Sequence, residues 1–149
     1  MGEAMDGRAV SFTPAKFLVE RGKIREFVLA IGDPNPVYVD PVSARAEGHR
    51  DVIAPPTFAA VIDLWSGDYA GDCRLMGLDP AKLLHGEQEY EYFGEINPGD
   101  EITVYRDVTA AEEKKGKSGV LKVVRLETRY INQRQELVLV ARSTILERR

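Results

Sequence analysis

The chain has 149 residues, of which 44% are hydrophobic and 30% charged, which suits one globular domain with a real core and leaves too little chain for two. Lys and Arg number 20 against 24 Asp and Glu, and the resulting formal net charge of -4 argues against bulk electrostatic attraction to nucleic acid. The single cysteine, Cys73, cannot form an intramolecular disulfide. Residues 1–10 contain no apolar run of the length that a signal peptide or membrane span needs. We therefore expect one domain over residues 1–149, soluble in a reducing cytoplasm.

The first predicted helix covers residues 20–31. Its apolar side chains recur at helical spacing, with charged residues between them, and comprise Ile24, Phe27, Val28 and Ile31. Gly32 then ends the helix, and Pro34 and Pro36 prevent it from continuing.

A second helix follows the abrupt entry Pro55-Pro56-Thr57. Its spaced apolar residues are Phe58, Val61, Ile62, Trp65 and Tyr69. Alanines and a leucine fill most of the gaps, so the helix is apolar around most of its circumference. We expect a long central helix that is buried in the core.

The second half of the chain has the patterns of strands. Glutamates alternate with Gln and Tyr over residues 87–92, and Pro98-Gly99-Asp100 turns the chain into a further strand from Ile102. Residues 120–130 and 137–146 are rich in Val, Leu, Ile, Thr and Tyr and predict a final hairpin. The sequence thus predicts an α+β domain in which an antiparallel sheet of at least four long strands covers one buried helix.

The segment 30–38, Ala-Ile-Gly-Asp-Pro-Asn-Pro-Val-Tyr, has two interpretations. Gly, Asp, Pro and Asn are all turn formers, so it can simply be the end of a helix followed by a turn. Alternatively, the two prolines hold Asp33 and Asn35 rigidly just beyond the helix, as an acid–base or binding site requires. Composition alone favours the turn.

This segment resembles the hydratase motif of the MaoC-like dehydratases and (R)-specific enoyl-CoA hydratases, which have a hot dog fold. The motif is an aromatic residue, small apolar residues, then G-D-x-N-P-(I/L/V)-H and a later Ala or Ser. The matching positions are Phe27, Gly32, Asp33, Asn35, Pro36, Val37, Ser43 and Ala44. Residues 52–58 and 84–90 are similar to the helix entry and a strand of the N-terminal MaoC-like subgroup. That subgroup includes the dehydratase region of fungal fatty acid synthase and a HadA-type subunit. The resemblance covers about residues 12–147.

The resemblance implies a hot dog fold, with a long central helix wrapped by a curved antiparallel sheet, and hydration or dehydration of 2-enoyl and 3-hydroxyacyl thioesters in fatty acid metabolism. The sequence departs from the motif where the family has its catalytic histidine, because Tyr38 stands five residues after Asp33. Tyrosine has a reference pKa near 10 and is a poor general base at neutral pH, although it can donate a hydrogen bond. Loss of a general acid–base group typically costs on the order of 10²- to 10⁴-fold in rate.

Two assemblies are open: a homodimer, or a heteromer in which this chain is the degenerate partner of a His-bearing MaoC-like subunit. The chain is then either an enzyme subunit or a non-catalytic acyl-binding scaffold. A hot dog thioesterase is a third functional alternative, which the hydratase-like segment 32–38 disfavours. No cofactor is implied, since coenzyme A or an acyl carrier protein enters with the substrate. We expect neither nucleic acid nor membrane as a partner.

The expected catalytic residues are Asp33, Asn35, Tyr38 and His85, and the expected substrate contacts are Ala54, Pro55, Pro56, Thr57 and Gly86. His85 begins a predicted strand and is either a structural histidine or a substitute for the missing one. Backbone N–H groups from Thr57 onward are candidates to polarise the thioester carbonyl.

Three other features have simpler readings. His49 lies among charged residues and is expected at the surface, and the two histidines lack metal-ligand spacing, so no metal site is predicted. Cys73 is expected to be an ordinary thiol. The charged run 112–117 is expected at a solvated hairpin tip, with lysines that could meet coenzyme A phosphates.

Overall fold

The structure is a computed structural model that describes residues 10–116 and 119–148. One antiparallel sheet contains five strands in the order β1-β3-β4-β5-β2. The strands are β1 (Ala15–Leu18), β2 (Leu83–Tyr92), β3 (Glu101–Gly116), β4 (Gly119–Ile131) and β5 (Leu137–Arg148). The ten-residue strand β2 therefore forms one edge of the sheet.

Four α-helices lie between β1 and β2: α1 (Arg21–Ile31), α2 (Pro41–Ala46), α3 (Ala59–Trp65) and α4 (Tyr69–Leu75). Short 3-10 turns occupy Pro36–Tyr38 and Pro80–Lys82. The prediction of α1 is confirmed, including its end at Gly32. This glycine has a φ of 69°, the left-handed region that favours glycine, and its N–H bonds the carbonyls of the last helical turn.

The core forms where α3 lies against the sheet. From the helix side, Phe58, Ala59 and Ile62 are fully buried. They belong to one cluster with side chains from β3, β4 and β5, which are Ile102, Val104, Tyr130, Leu139 and Ala141. Alternate strand residues point to one face of a sheet, so the period-two patterns place these residues under the helix. The α+β architecture is confirmed.

The central helix is shorter than its apolar pattern predicts. It has seven residues, and the helical spacing continues into α4 only after a break at Ser66-Gly67-Asp68. The Asp68 carboxylate accepts the N–H of Gly71 at 2.9 Å and so starts a new helix. The exposed fractions of Leu64 and Trp65 are 63% and 68%, so the helix end is not core.

The final hairpin of β4 and β5 is confirmed, with Asn132 organising its turn: the Asn132 Oδ1 atom accepts N–H groups from Arg134 and Glu136. The strands β2 and β3 are joined through residues 93–100 without pairing, since β2 bonds β5 while β3 bonds β1 and β4. Among the described residues, none of the helices has the length and apolar character needed to cross a membrane.

Candidate functional site

The loop after α1 is built by its own polar side chains. The Asp33 Oδ1 atom accepts the Asn35 N–H at 2.9 Å, and the Asn35 Oδ1 atom accepts the Val37 N–H at 3.2 Å. Each side chain thus caps the turn two residues further on. The second carboxylate oxygen of Asp33, Oδ2, makes no hydrogen bond within residues 10–116 and 119–148. The segment is therefore a turn, and it also presents the partly exposed carboxylate of Asp33, whose catalytic role stays a prediction.

Tyr38 follows in the 3-10 turn and packs, half-buried, against the main core cluster. Burial raises the pKa of its phenol above the ordinary value, and the negative charge of Asp33 raises it further. The phenol is therefore protonated at neutral pH. It can donate a hydrogen bond but cannot remove a proton from a substrate carbon.

Tyr92, at the end of β2, joins this loop to the entry of α3. Its hydroxyl donates to the Pro56 carbonyl oxygen at 2.7 Å. Burial raises the pKa of Tyr92, and the neighbouring phenols of Tyr90 and Tyr38 add to the rise. The structure therefore brings Asp33 and Tyr38 into one neighbourhood with Tyr92 and Pro56, a contact that the sequence patterns do not indicate.

The other residues at the entry to α3 are largely structural in their contacts. Ala54 is buried and its N–H donates to the Ile96 carbonyl at 2.8 Å, while Pro55 is buried beside it. Thr57 is exposed, and its N–H makes no hydrogen bond within the described part of the chain. Because α3 has only seven residues, its dipole is small, and the polarising role of Thr57 stays a prediction.

His85 and Gly86 lie at the other end of β2. A strand rises about 3.3 Å per residue, so the seven steps from His85 to Tyr92 span roughly 20 Å. Within one chain, the structure does not bring His85 to Asp33 and Tyr38. Gly86 occupies a β-bulge, since His85 pairs with Ile145 and Glu87 with the adjacent Thr144.

A cavity of about 480 Å³ lies between the sheet and the pair α3 and α4. His85 contributes to its wall, as do polar side chains at 63, 72, 88, 106, 128 and 143. Its apolar lining includes Ala60, Leu64, Met76, Leu126 and Ile145. Neither Asp33 nor Tyr38 is part of this wall.

A partly buried polar network, which sequence reasoning missed, crosses this cavity wall. The Tyr130 hydroxyl lies 2.8 and 2.9 Å from the two carboxylate oxygens of Asp63. Arg106 donates to Asp63 at 3.0 Å and to Asp72 at 2.9 Å, so it ties α3 and α4 to β3. Burial raises the pKa of Asp63, while Arg106 and Tyr130 oppose the rise. The sequence signal that could have indicated this network is Asp63, an acidic residue inside an apolar helical run.

The remaining sequence candidates have structural partners. The His49 Nδ1 atom hydrogen-bonds Glu95. Cys73 is buried, and burial raises the pKa of its thiol, which fits an unreactive cysteine. Residues 112–116 of the charged run lie at the end of β3, where Arg125 pairs with Glu112. The last residue of the run, Lys117, lies outside the described residues. The described residues contain no group of three or more His, Cys, Asp or Glu side chains suited to a metal ion.

Two solved structures share the fold of this chain. A 3R-hydroxyacyl-ACP dehydratase complex, HadBC from Mycobacterium tuberculosis, superposes with a TM-score of 0.76 at 21% identity, covering 95% of this chain and 98% of that chain. A MaoC-like dehydratase superposes with a TM-score of 0.82 at 21% identity, covering 97% of this chain and 43% of that longer chain. The structure thus has the hot dog fold.

The family model of the FAS1-like dehydratase domain region matches residues 7–141, and the chain belongs to this family. A UPF0336 protein of Streptomyces griseus is 37% identical over 149 residues, which covers 99% of this chain and 95% of that protein.

Proposed function

We propose that this chain is a subunit of a hydratase or dehydratase acting on 2-enoyl and 3-hydroxyacyl thioesters, and that a His-bearing hot dog partner supplies the proton transfer. The observation that carries the proposal is Tyr38 beside Asp33 in an otherwise hydratase-like loop. The chain belongs to the family of the FAS1-like dehydratase domain region, which supports this reaction class.

The chemistry needs a group that exchanges a proton at the carbon next to the thioester and a second group that handles water or hydroxyl. The Oδ2 atom of Asp33 is free to accept a hydrogen bond from that water or hydroxyl. A phenol whose pKa lies above its ordinary value cannot accept the carbon's proton at neutral pH. A histidine from the partner fills this role in the proposed enzyme.

The cavity beneath α3 and α4 is the proposed site for the acyl chain. Its volume of about 480 Å³ falls within the range of small-molecule pockets, and its apolar side chains suit a hydrocarbon. The thioester would belong to coenzyme A or to an acyl carrier protein.

The partner is proposed to pair with β2, which is a sheet edge whose outward backbone groups bond no other strand of the described chain. HadBC forms a complex, which supports a partner subunit for this chain as well. The full chain would then complete a continuous sheet with its partner.

Titration calorimetry with dodecanoyl-CoA, a saturated thioester that cannot be hydrated, tests the acyl site. Ala60→Phe narrows the cavity and is expected to weaken binding at least about tenfold, because Ala60 lines it. Ala46→Phe, at the exposed end of α2, is the matched control and should bind like the native chain. Equal binding by all three proteins would contradict the proposed site, and release of free thiol would indicate a thioesterase.

A further inference from the structure

The outward face of β2 carries an acidic stripe formed by Glu87, Glu89 and Glu91, all exposed. Arg142 on β5 donates to Glu89 at 2.7 Å and to Glu91 at 2.9 Å, and it also bonds Glu127 at 3.3 Å. Arg142 thus pairs with three carboxylates, two of which belong to the stripe. The stripe keeps a net negative charge after this pairing.

The contacts of the intervening residues fix which face carries the stripe. Gln88 and Tyr90 line the cavity beneath the helices, so they point to the inner face of the sheet. Successive residues of a strand point to opposite faces, so the three glutamates point away from the helices. The stripe begins directly after the bulge at Gly86, and the strand is regular from Glu87 to Tyr92.

Self-pairing of this edge would oppose like charges. When two copies of β2 pair antiparallel about a twofold axis, the axis runs perpendicular to the sheet and keeps each face on its own side. Outward-pointing residues of one copy then face outward-pointing residues of the other. Glutamates would stand opposite or diagonal to glutamates, and like charges in those positions are destabilising.

We propose that the β2 edge is an interface for a partner strand that presents Lys or Arg opposite Glu87, Glu89 and Glu91, and that the stripe disfavours the homodimer. This inference rests on the proposed function only in taking β2 as the pairing edge. It specifies the chemistry of the partner strand, which the reaction class does not. The stripe acts both by attracting a basic strand and by excluding a second copy of the chain.

Sedimentation equilibrium of the purified full chain tests the repulsion. Glu87→Gln/Glu89→Gln/Glu91→Gln keeps the shape of the side chains and removes their charge, so self-association should tighten at least about tenfold. Between about 20 mM and about 500 mM NaCl, self-association of the native chain should also tighten, because salt screens the stripe. Absence of both effects would overturn the proposal.

A triple variant on the helical side of the chain is the matched control. Glu20, Glu26 and Glu47 are exposed and lie outside the sheet, so their change to Gln removes the same charge elsewhere. This variant should associate like the native chain. If it dimerises as strongly as the β2 variant, net charge rather than the stripe governs association.

The attraction is tested by a probe made from the chain itself. Glu87→Lys/Glu89→Lys/Glu91→Lys presents a basic β2 edge. This variant is labelled with ¹⁵N so that its mass differs from that of the native chain. Native mass spectrometry of an equimolar mixture should then show mixed dimers above the roughly twofold excess over each homodimer that random pairing gives. Circular dichroism checks its fold, since Arg142 then lies beside lysines; if it does not fold, the Gln variant decides the question. A mixture with no excess of mixed dimer over random pairing contradicts the proposal. Because no substrate is involved, these outcomes are separate from any failure of the proposed reaction.

Discussion

Removing the Tyr130 hydroxyl tests the partly buried network beneath α3. Tyr130→Phe deletes a donor that both oxygens of Asp63 share, and a hydrogen bond to a charged group is worth about 1.5–3 kcal/mol. Asp63 is half-buried, so we expect a loss of about 1.5–2 kcal/mol in the free energy of unfolding. For a chain of 149 residues this lowers the melting temperature by about 3–8 °C.

The pH dependence of this loss has a defined sign. The pKa of Asp63 is raised in the folded protein, so the folded state holds its proton more tightly than the unfolded chain. The free energy of unfolding therefore falls as the pH rises from the ordinary aspartate pKa through the folded-state value. Tyr130→Phe removes an interaction that lowers this pKa, so its extra loss is full where Asp63 is ionised in the folded protein and shrinks as acid protonates it.

Urea unfolding at about pH 8 and about pH 4, followed by circular dichroism, measures the effect. Tyr92→Phe is the matched control, since the Tyr92 hydroxyl bonds the uncharged Pro56 carbonyl. That variant should lose about 0.5–1.5 kcal/mol equally at both pH values. An equal loss at both pH values for Tyr130→Phe would refute the reasoning, because the hydroxyl would then not be stabilising a carboxylate.

Three further predictions concern the loop and the backbone. Asn35→Ala removes a capping oxygen and should lower the free energy of unfolding by about 1 kcal/mol in urea titration. Gly86→Ala places a Cβ atom 3.3 Å from Leu146 and should destabilise the folded protein. In contrast, the new Cβ atom of Gly22→Ala in α1 meets nothing within 4 Å, and this variant should stabilise the protein by about 0.5–1 kcal/mol. Thermal melting measures both effects. Ultraviolet difference titration against Tyr38→Phe should show the Tyr38 phenol ionising above its ordinary pKa; ionisation at or below that value contradicts the proposed burial beside Asp33.

The sequence predicts those elements whose signals are local. The helix α1 has apolar periodicity and a glycine stop, and the hairpin of β4 and β5 has two β-rich runs around a polar turn, so both appear as expected. The central helix is shorter because its apolar spacing continues in phase through α4. Periodicity cannot detect the break at residues 66–68, where the Asp68 cap starts a new helix.

Only the part of the candidate site that is contiguous in the chain could be predicted from the sequence. The loop from Asp33 to Tyr38 is contiguous, so its motif shows in the sequence, and the structure gives its members a shared neighbourhood. The link from Tyr92 to Pro56 and the pairing of Asp63 with Tyr130 join residues that are distant in the chain. Such contacts depend on strand order, in which β2 lies beside β5, and the spacing of residues does not encode it.

The most direct test of the central claim is a hydration assay of the purified chain alone. Crotonyl-CoA and a long-chain 2-enoyl-CoA serve as substrates, with loss of enoyl absorbance as the readout and Asp33→Ala as the comparison. We predict no Asp33-dependent turnover with either substrate from the folded native chain, because Tyr38 supplies no base at neutral pH. Turnover that Asp33→Ala abolishes would contradict the claim and show that the tyrosine-bearing loop catalyses without a partner.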